Sequence, residues 1–352
     1  MNPSNALPQV DDAIEILLPP AIDPMELRPD PHGETVQLAG DTMGTSWAVT
    51  AILPSSHDLF GLRRNLEAGF GVIIGQMSQW EPNSEISLFN RAQAGSWHII
   101  SPQFRTVLKS ACDIALASEG AFDPAIGGLS ELWGFGASSP PLRKPQATTD
   151  RTGSHSTRHH SWKDISFSES GDQIYQPGGL KLDLSAIAKG FAVDYIIAVL
   201  RQRAITHALV EIGGELRATG VQSNGEPWWV DVENAPDVDD PLVSRIALSG
   251  WAIATTGHYL RRRYAAGESW SHTLSPEQRQ PVADSLSTIS VLHPNCMQAD
   301  ALATAIAVLG QERGIAFANR HRLAAKLVAE GRAFYSDTWR AYAAGTEEES
   351  GQ

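Results

Sequence analysis

Apolar residues recur along this chain in two rhythms, and each rhythm marks out elements. In "TVQLAGDTMGTSWAVTAIL", residues 35–53, apolar and polar letters alternate, which predicts a pair of strands. Residues 58–78 and 102–119 carry apolar letters at helical spacing and predict two amphipathic helices. From residue 180 onward the rhythms interleave. We read a strand in "LKLDLS", a helix in "AIAKGFAVDYIIAVLRQR", a hairpin in "HALVEIGGELRATGV" and a strand in "PWWVDVENA". Strands in "SRIALSGWAIATTG" and "LSTISVLH" follow, and then a last helix opens at "MQADALATAIAVLG". Hairpins mixed with long helices, without a repeat of fixed period, predict an α+β fold rather than a regular doubly wound sheet.

The pattern also sets the domain limits. Residues 1–34 mix proline with acidic and apolar letters and read as an extended arm. Residues 35–340 hold the periodic elements and form the folded domain, and residues 341–352, with "GTEEESGQ", read as an acidic disordered tail. Within the domain, "GAFDPAIGGLSELWGFG" is too rich in glycine for one regular element. The following "SSPPLRKPQATTDRTGSHSTRHHSW" is linker-like, and His155, His159 and His160 within it read as solvated rather than metal-bound.

The last helix carries the first chemical signal. Leu302, Ile306 and Leu309 form an apolar stripe, while Asp300 and Thr304, four residues apart, share roughly the opposite side. Alanine fills positions 299, 301, 303, 305 and 307, and no charge intervenes before Glu312, so the helix is expected to be enclosed by protein. A carboxylate in such a place requires a proton, a basic partner or a cation, because an unpaired buried charge costs several kcal/mol. Asp with a Thr hydroxyl one turn away suits a hard cation. It also suits a plain structural use, with Asp300 as a cap and Thr304 bonded back to a carbonyl, and the segment alone leaves both readings open.

A second signal lies in "LDLSAIAKGFAVD". Ser185 is placed to cap the helix that follows, which would make residues 185–189 a helix start whose free amides and positive dipole end favour an anion. Lys189 adds a full charge, and Gly190 permits close approach of another group. Polar letters and the histidines His258 and His272 fall at expected strand ends.

Charge and cysteine content narrow the partners. A formal net charge of -13 argues against nucleic acid or an anionic membrane as the main partner. Cys112 and Cys296 form neither a CxxC pair nor a disulfide framework. No stretch approaches the ~18 apolar residues of a membrane span. The first 30 residues lack the basic start and apolar core of a secretion signal and a Cys for lipid attachment, so a cytoplasmic location is expected. There is no GxGxxG after a strand, no GxxxxGK[ST], no GxSxG and no HExxH.

Taken in order, "TMGTSW", "MSQWEPNSEISLFN", "GAFDPAIGGLSELWGFG", "LDLSAIAKGFAVD", "VEIGGELRATG", "IATTGHY", "SHTLSP" and "ADALATAIAVLG" resemble the FAD:protein FMN transferases, the ApbE family, over about residues 40–310. The resemblance implies an α+β flavin transferase fold of mixed sheets and packed helices, with FAD in a cleft between sub-regions. It implies magnesium as cofactor, FAD as substrate, and transfer of the FMN half to a threonine of an acceptor flavoprotein with release of AMP. Some members instead hydrolyse FAD to FMN and AMP, and a non-catalytic flavin-binding accessory protein is a further alternative.

Carried over by motif position, magnesium falls to Asp300 and Thr304, with a backbone oxygen from Ala186. FAD contacts fall to Met43, Trp80, Ala121, Phe122, Asp123, Asp183, Lys189 and Leu274, and proton transfer to His272. Trp80 and Phe122 then offer surface to a flat ring, whereas Lys189 and the metal face charge. Three departures stand out: Ser275 where the pattern has Asp, Glu277 and Gln278 where it has Thr-Gly, and Trp80 where tyrosine is common.

Overall fold

The computed structural model describes residues 14–20, 27–54, 58–138, 140–145, 159–232, 243–257, 262–282 and 286–343. Its centre is an eight-stranded sheet. In spatial order the strands are β17 (Arg332–Tyr335), β16 (Ala324–Ala329), β15 (Leu286–His293), β10 (Ala252–Gly257), β7 (Glu215–Thr219), β6 (Ala208–Ile212), β3 (Thr45–Leu53) and β2 (Glu34–Thr42). All neighbours in it pair antiparallel. This bears out the α+β expectation.

Helices α1 (Leu59–Met77), α5 (Ala188–Gln202) and α6 (Cys296–Arg320) cover one face of this sheet, and α3 (Pro102–Ala117) packs outside α6. Val49, Val210, Ile289 and Leu327 from the strands meet Leu66, Phe70, Ile196 and Ile306 from the helices in one continuous core. The opposite face is covered too. There β1 (Ile14–Leu17), β9 (Val243–Ala247) and β8 (Trp229–Val232) form a small second sheet beside α7 (Asp337–Tyr342), burying Leu17, Ile52, Ile246, Ile253 and Trp339. Burial on both faces explains why β16 reads as "AAKLVA", a run without polar alternation apart from one lysine.

A satellite sits at one end of these layers. It consists of α4 (Gly127–Leu132), the hairpin β11 (Arg262–Ala265) and β12 (Glu268–Ser271), and the short pair β13 (Leu274–Ser275) and β14 (Gln280–Pro281), with a core of Leu129, Trp133, Trp270 and Leu274. Helix α2 (Glu85–Asn90) and the pair β4 (Ser96–Ile99) and β5 (Gln173–Gln176) complete the described strands and α-helices.

Several local expectations are corrected. "LKLDLS" is not a strand: Leu180, Leu182 and Leu184 are buried, but the backbone is held by non-strand partners. Leu182 N–H donates to Asn90 Oδ1 at 2.7 Å, Asn90 Nδ2 donates to the Leu182 carbonyl at 2.8 Å, and Lys181 and Asp183 bond to the segment leading into α4. Alternation reports an extended backbone and not what that backbone pairs with. Nor does Ser185 cap a helix. Residues 185–187 form a turn, with Ser185 N–H donating to Asp183 Oδ1 at 2.9 Å, and the helix begins at Ala188. Helix α6 breaks at Gly310, whose φ of 79° separates two helical segments.

The described parts of the two terminal segments meet on the fold. Residues 14–17 are a sheet strand with Leu17 fully buried, and Ala343 bridges back to Leu17; residues 344–352 lie outside the described residues. His155 and His258 also lie outside them. His160 is not solvated as expected: its side chain is buried, with Nε2 2.9 Å from the Gly178 carbonyl and Nδ1 3.5 Å from Asp164.

Candidate active site

Two hairpin turns lie side by side at the edge of the main sheet. The β2–β3 turn is Met43–Gly44, with φ of 49° and 74°, and the β6–β7 turn is Gly213–Gly214, with φ of 62° and 99°. Both residues of each turn are left-handed, the geometry that a two-residue hairpin of this twist requires. Gly213 N–H donates to the Ser46 carbonyl at 3.1 Å, and a Cβ on Gly213 would lie 2.7 Å from Thr45, so this position excludes larger residues. Met43 takes the left-handed conformation without being glycine, asparagine or aspartate, an uncommon choice.

Behind these turns, α5 and α6 cross closely. A Cβ on Gly190 would fall 2.4 Å from the Cys296 carbonyl oxygen, so glycine sets the approach of the two helices. Each helix caps the other. Asp194 of α5 accepts from the Cys296 and Met297 amides at 3.0 and 2.9 Å, and Asp300 of α6 accepts from the Gly190 amide at 3.0 Å. Asp300 does act as a cap, but of the neighbouring helix. The positive end of α5 that the sequence offers to an anion is thus used in part by this carboxylate.

Asp300, Thr304 and Val308, spaced by four on α6, line a cavity of about 430 Å³ between the main layers and the satellite. Of the residues expected at the site, Trp80, Ala121, Phe122, Asp123, Asp183, Ala186, Lys189, His272 and Leu274 line the same cavity. Met43 lies next door. It borders a second cleft of about 630 Å³ that shares Gly44, Trp80, Ser185 and Lys189 with the first. The two expected aromatics differ in what they present: Trp80 is 55% exposed, whereas Phe122 is 4% exposed and serves mainly as core.

Several charged side chains line the cavity. Glu215, on β7 directly after the Gly-Gly turn, pairs through Oε1 with the Lys189 ammonium, and its side chain is only 4% exposed. Its Oε2 is buried without a hydrogen-bond partner. Burial raises the Glu215 carboxyl, the Lys189 ammonium opposes this, and the Asp300 charge adds to it. Asp300 itself is 6% exposed and is also raised by burial, against the pull of Lys189 and of the Gly190 amide. Asp123 is pushed up to about 6 by burial, against amide donors from Ala125 and Trp162, and the Asp164 charge adds to the rise. Two buried carboxylates face one ammonium, and one of them has an unsatisfied oxygen, a set to which a cation could be added. Among the described residues no three His, Cys, Asp or Glu side chains gather as a metal site. A hard cation here would therefore draw on Asp300, the Thr304 hydroxyl, backbone oxygen and the ligand's own oxygens.

His272 leads from β12 into β13, its ring edge on to Phe135 with centroids 6.3 Å apart. The satellite is pinned behind it, with Trp270 Nε1 donating to the Trp133 carbonyl at 3.0 Å and Arg263 Nε to the Gly134 carbonyl at 2.8 Å.

The ApbE family profile matches residues 43–327. The chain belongs to the ApbE family. A relative from Vibrio cholerae serotype O1, named FAD:protein FMN transferase, is 34% identical over 294 residues, covering 82% of this chain and 86% of its own length. The solved flavin transferase ApbE from Vibrio cholerae superposes with a TM-score of 0.76 at 30% identity, over 88% of this chain and 99% of that one. The apo flavinyl transferase ApbE of Pseudomonas stutzeri gives 0.76 at 29% identity, over 88% and 98%. The fold is that of the ApbE flavin transferases.

Within this ApbE-family chain, the altered loop after His272 remains an ordered turn. Ser275 Oγ accepts from the Gln278 amide at 3.1 Å, the local bond an Asp side chain makes in such a turn, though without its charge. The left-handed residue that glycine would suit is Arg279, with φ of 55°, one position beyond the Gln278 that the sequence comparison singled out. Sequence reading also passed over Glu215 and the cavity-lining Thr256 and Phe135. Glu215 stands in the quoted "VEIGGELRATG", but a Gly-Gly hairpin explains itself structurally and gave no reason to look at its first strand residue.

Proposed function

We propose that this protein is a magnesium-dependent FAD:protein FMN transferase, which moves the FMN half of FAD to a threonine hydroxyl of an acceptor flavoprotein and releases AMP. One observation carries the reading: Asp300 and Thr304 from α6, Ala186 and Lys189 from the start of α5, and His272 from the satellite all border one cavity. Relatives named FAD:protein FMN transferase, similar over more than four fifths of this chain, support the choice of substrate.

In this reading Lys189 meets the diphosphate of FAD, and the shared wall at Gly44, Trp80 and Ser185 lets the two halves of the dinucleotide occupy adjoining compartments. Asp300, Thr304 and the Ala186 carbonyl would hold magnesium, which would supply charge neutralisation at the diphosphate. Trp80 offers its exposed ring to a flat base. His272 takes the proton of the threonine hydroxyl as its oxygen bonds to the FMN phosphorus and the bond to the AMP phosphate breaks, a contribution of ~10²- to 10⁴-fold for a general base.

Incubation with FAD, magnesium and an acceptor protein bearing a threonine attachment site tests the proposal. In-gel flavin fluorescence on the acceptor, lost when that threonine is replaced, is the expected result. Free FMN and AMP without labelling would make the protein a hydrolase, and intact bound FAD a flavin-binding protein.

A further inference from the structure

The cavity is built against its own ligand. Its described lining brings four carboxylates, Asp123, Asp183, Glu215 and Asp300, against one ammonium, Lys189, and one imidazole, His272. A diphosphate entering such a lining meets repulsion unless cations come with it. All four carboxylates have a backbone amide nearby: Asp123 that of Ala125, Asp183 that of Ser185, Asp300 that of Gly190 and Glu215 its own. Glu215 is set apart by its two oxygens. One of its oxygens holds the Lys189 ammonium, the other is buried and unsatisfied, and the side chain is anchored directly after the rigid Gly213–Gly214 turn. It therefore competes with any anion for the one lysine of the described lining.

We infer that Glu215 makes diphosphate binding conditional on a divalent cation, withholding Lys189 from the anion until a cation near Asp300 satisfies the carboxylate in its place. This rests on the reading of the cavity as an FAD site and adds a positioning residue to it. Glu215 acts through Lys189.

The test compares the FAD dissociation constant in magnesium with that in EDTA, by quenching of flavin fluorescence, for the wild-type chain and for Glu215→Gln and Glu215→Asp. The wild type should bind FAD much more weakly in EDTA. Glu215→Gln should tighten binding in EDTA and shrink the magnesium-to-EDTA ratio by about tenfold, the effect of removing one charge from a partly screened pair. Glu215→Asp, which keeps the charge, should keep the ratio. In the Lys189→Met background, Glu215→Gln should no longer change binding in EDTA, which a purely structural role would not predict. If Glu215→Gln shows no cooperative melting transition, Glu215→Met fills a similar buried volume and reads the same ratio. A ratio unchanged by loss of the charge overturns the inference and leaves the FAD site intact. A wild-type protein that binds neither FAD nor magnesium overturns both.

Discussion

Asp300 caps α5 through the Gly190 amide, and in the proposed function it would also hold magnesium; the choice of substitution separates the two roles. Asp300→Asn keeps an oxygen for the Gly190 amide but loses the charge, whereas Asp300→Ala loses both. We expect both variants to lose FAD turnover by roughly two orders of magnitude or more, since several kcal/mol of charge stabilisation rest on a bound metal. Only the alanine should lose the roughly 1 kcal/mol of a helix cap, read as a lower melting temperature. Wild-type turnover in either variant would remove the metal from the proposal. Asp123 gives a prediction in pH. Its folded value is raised, so the neutral carboxyl favours the fold below the ordinary 3.8, and this contribution is lost as pH climbs through about 6. The unfolding free energy of the wild type relative to Asp123→Asn, from denaturant titration, should fall across that window by at most roughly 3 kcal/mol and then level off. A difference independent of pH would contradict a buried, titrating Asp123. Residues were legible where their surroundings made them costly. Asp300 stood out as a carboxylate in an alanine-rich helix, while Glu215 was hidden because a charge beside a turn is ordinary in sequence and is buried here only by tertiary contact.

At the scale of elements, the crossing of α5 and α6 determines where the charges meet. Two reciprocal caps and one glycine hold it: Asp194 on the start of α6, Asp300 on the start of α5, and Gly190 at the contact. Gly190→Ala must push a backbone carbonyl away from 2.4 Å, and overpacking of this kind costs roughly 1–3 kcal/mol or more. The helices would separate at the point that carries Lys189 and Asp300, so FAD affinity should fall along with stability. Ala192→Gly, two residues along the same helix at a fully buried position, should lower stability by a comparable ~1 kcal/mol with little effect on FAD binding. Calorimetric titration of both variants checks the contrast, and equal affinity losses would mean that the crossing only supports the fold. The helices themselves were plain in the sequence, from 58–78 against the observed 59–77 to 102–119 against 102–117. "LKLDLS" was misread because the partner of its backbone is the side chain of Asn90, 92 residues away, and no local pattern encodes that.

Across the whole molecule, the N-terminal strand closes the face of the sheet opposite the cavity. Lys326 on β16 is 2% exposed and donates to Ser244 Oγ at 3.1 Å; Ser244 donates to Glu15 Oε2 at 2.9 Å, and the Trp339 indole donates to the same oxygen at 3.2 Å. Four separate stretches of chain thus converge on one buried network, in which Ser244 bridges Lys326 and Glu15. Removing one member of a buried hydrogen-bonded network costs roughly 1–3 kcal/mol, because its partners stay buried without it. Glu15→Ala should therefore lower the melting temperature, and Glu15→Gln, which keeps an acceptor but not the charge, should fall between that variant and the wild type. Ser244→Ala and Glu15→Ala combined should cost less than the sum of their separate losses, since both remove the same hydrogen bond. FAD affinity and turnover should stay unchanged throughout, because the network sits on the face away from Asp300 and Lys189. A loss of affinity that tracks Glu15→Ala would show instead that the N-terminal strand is coupled through the sheet to the cavity, and that the two faces do not act independently.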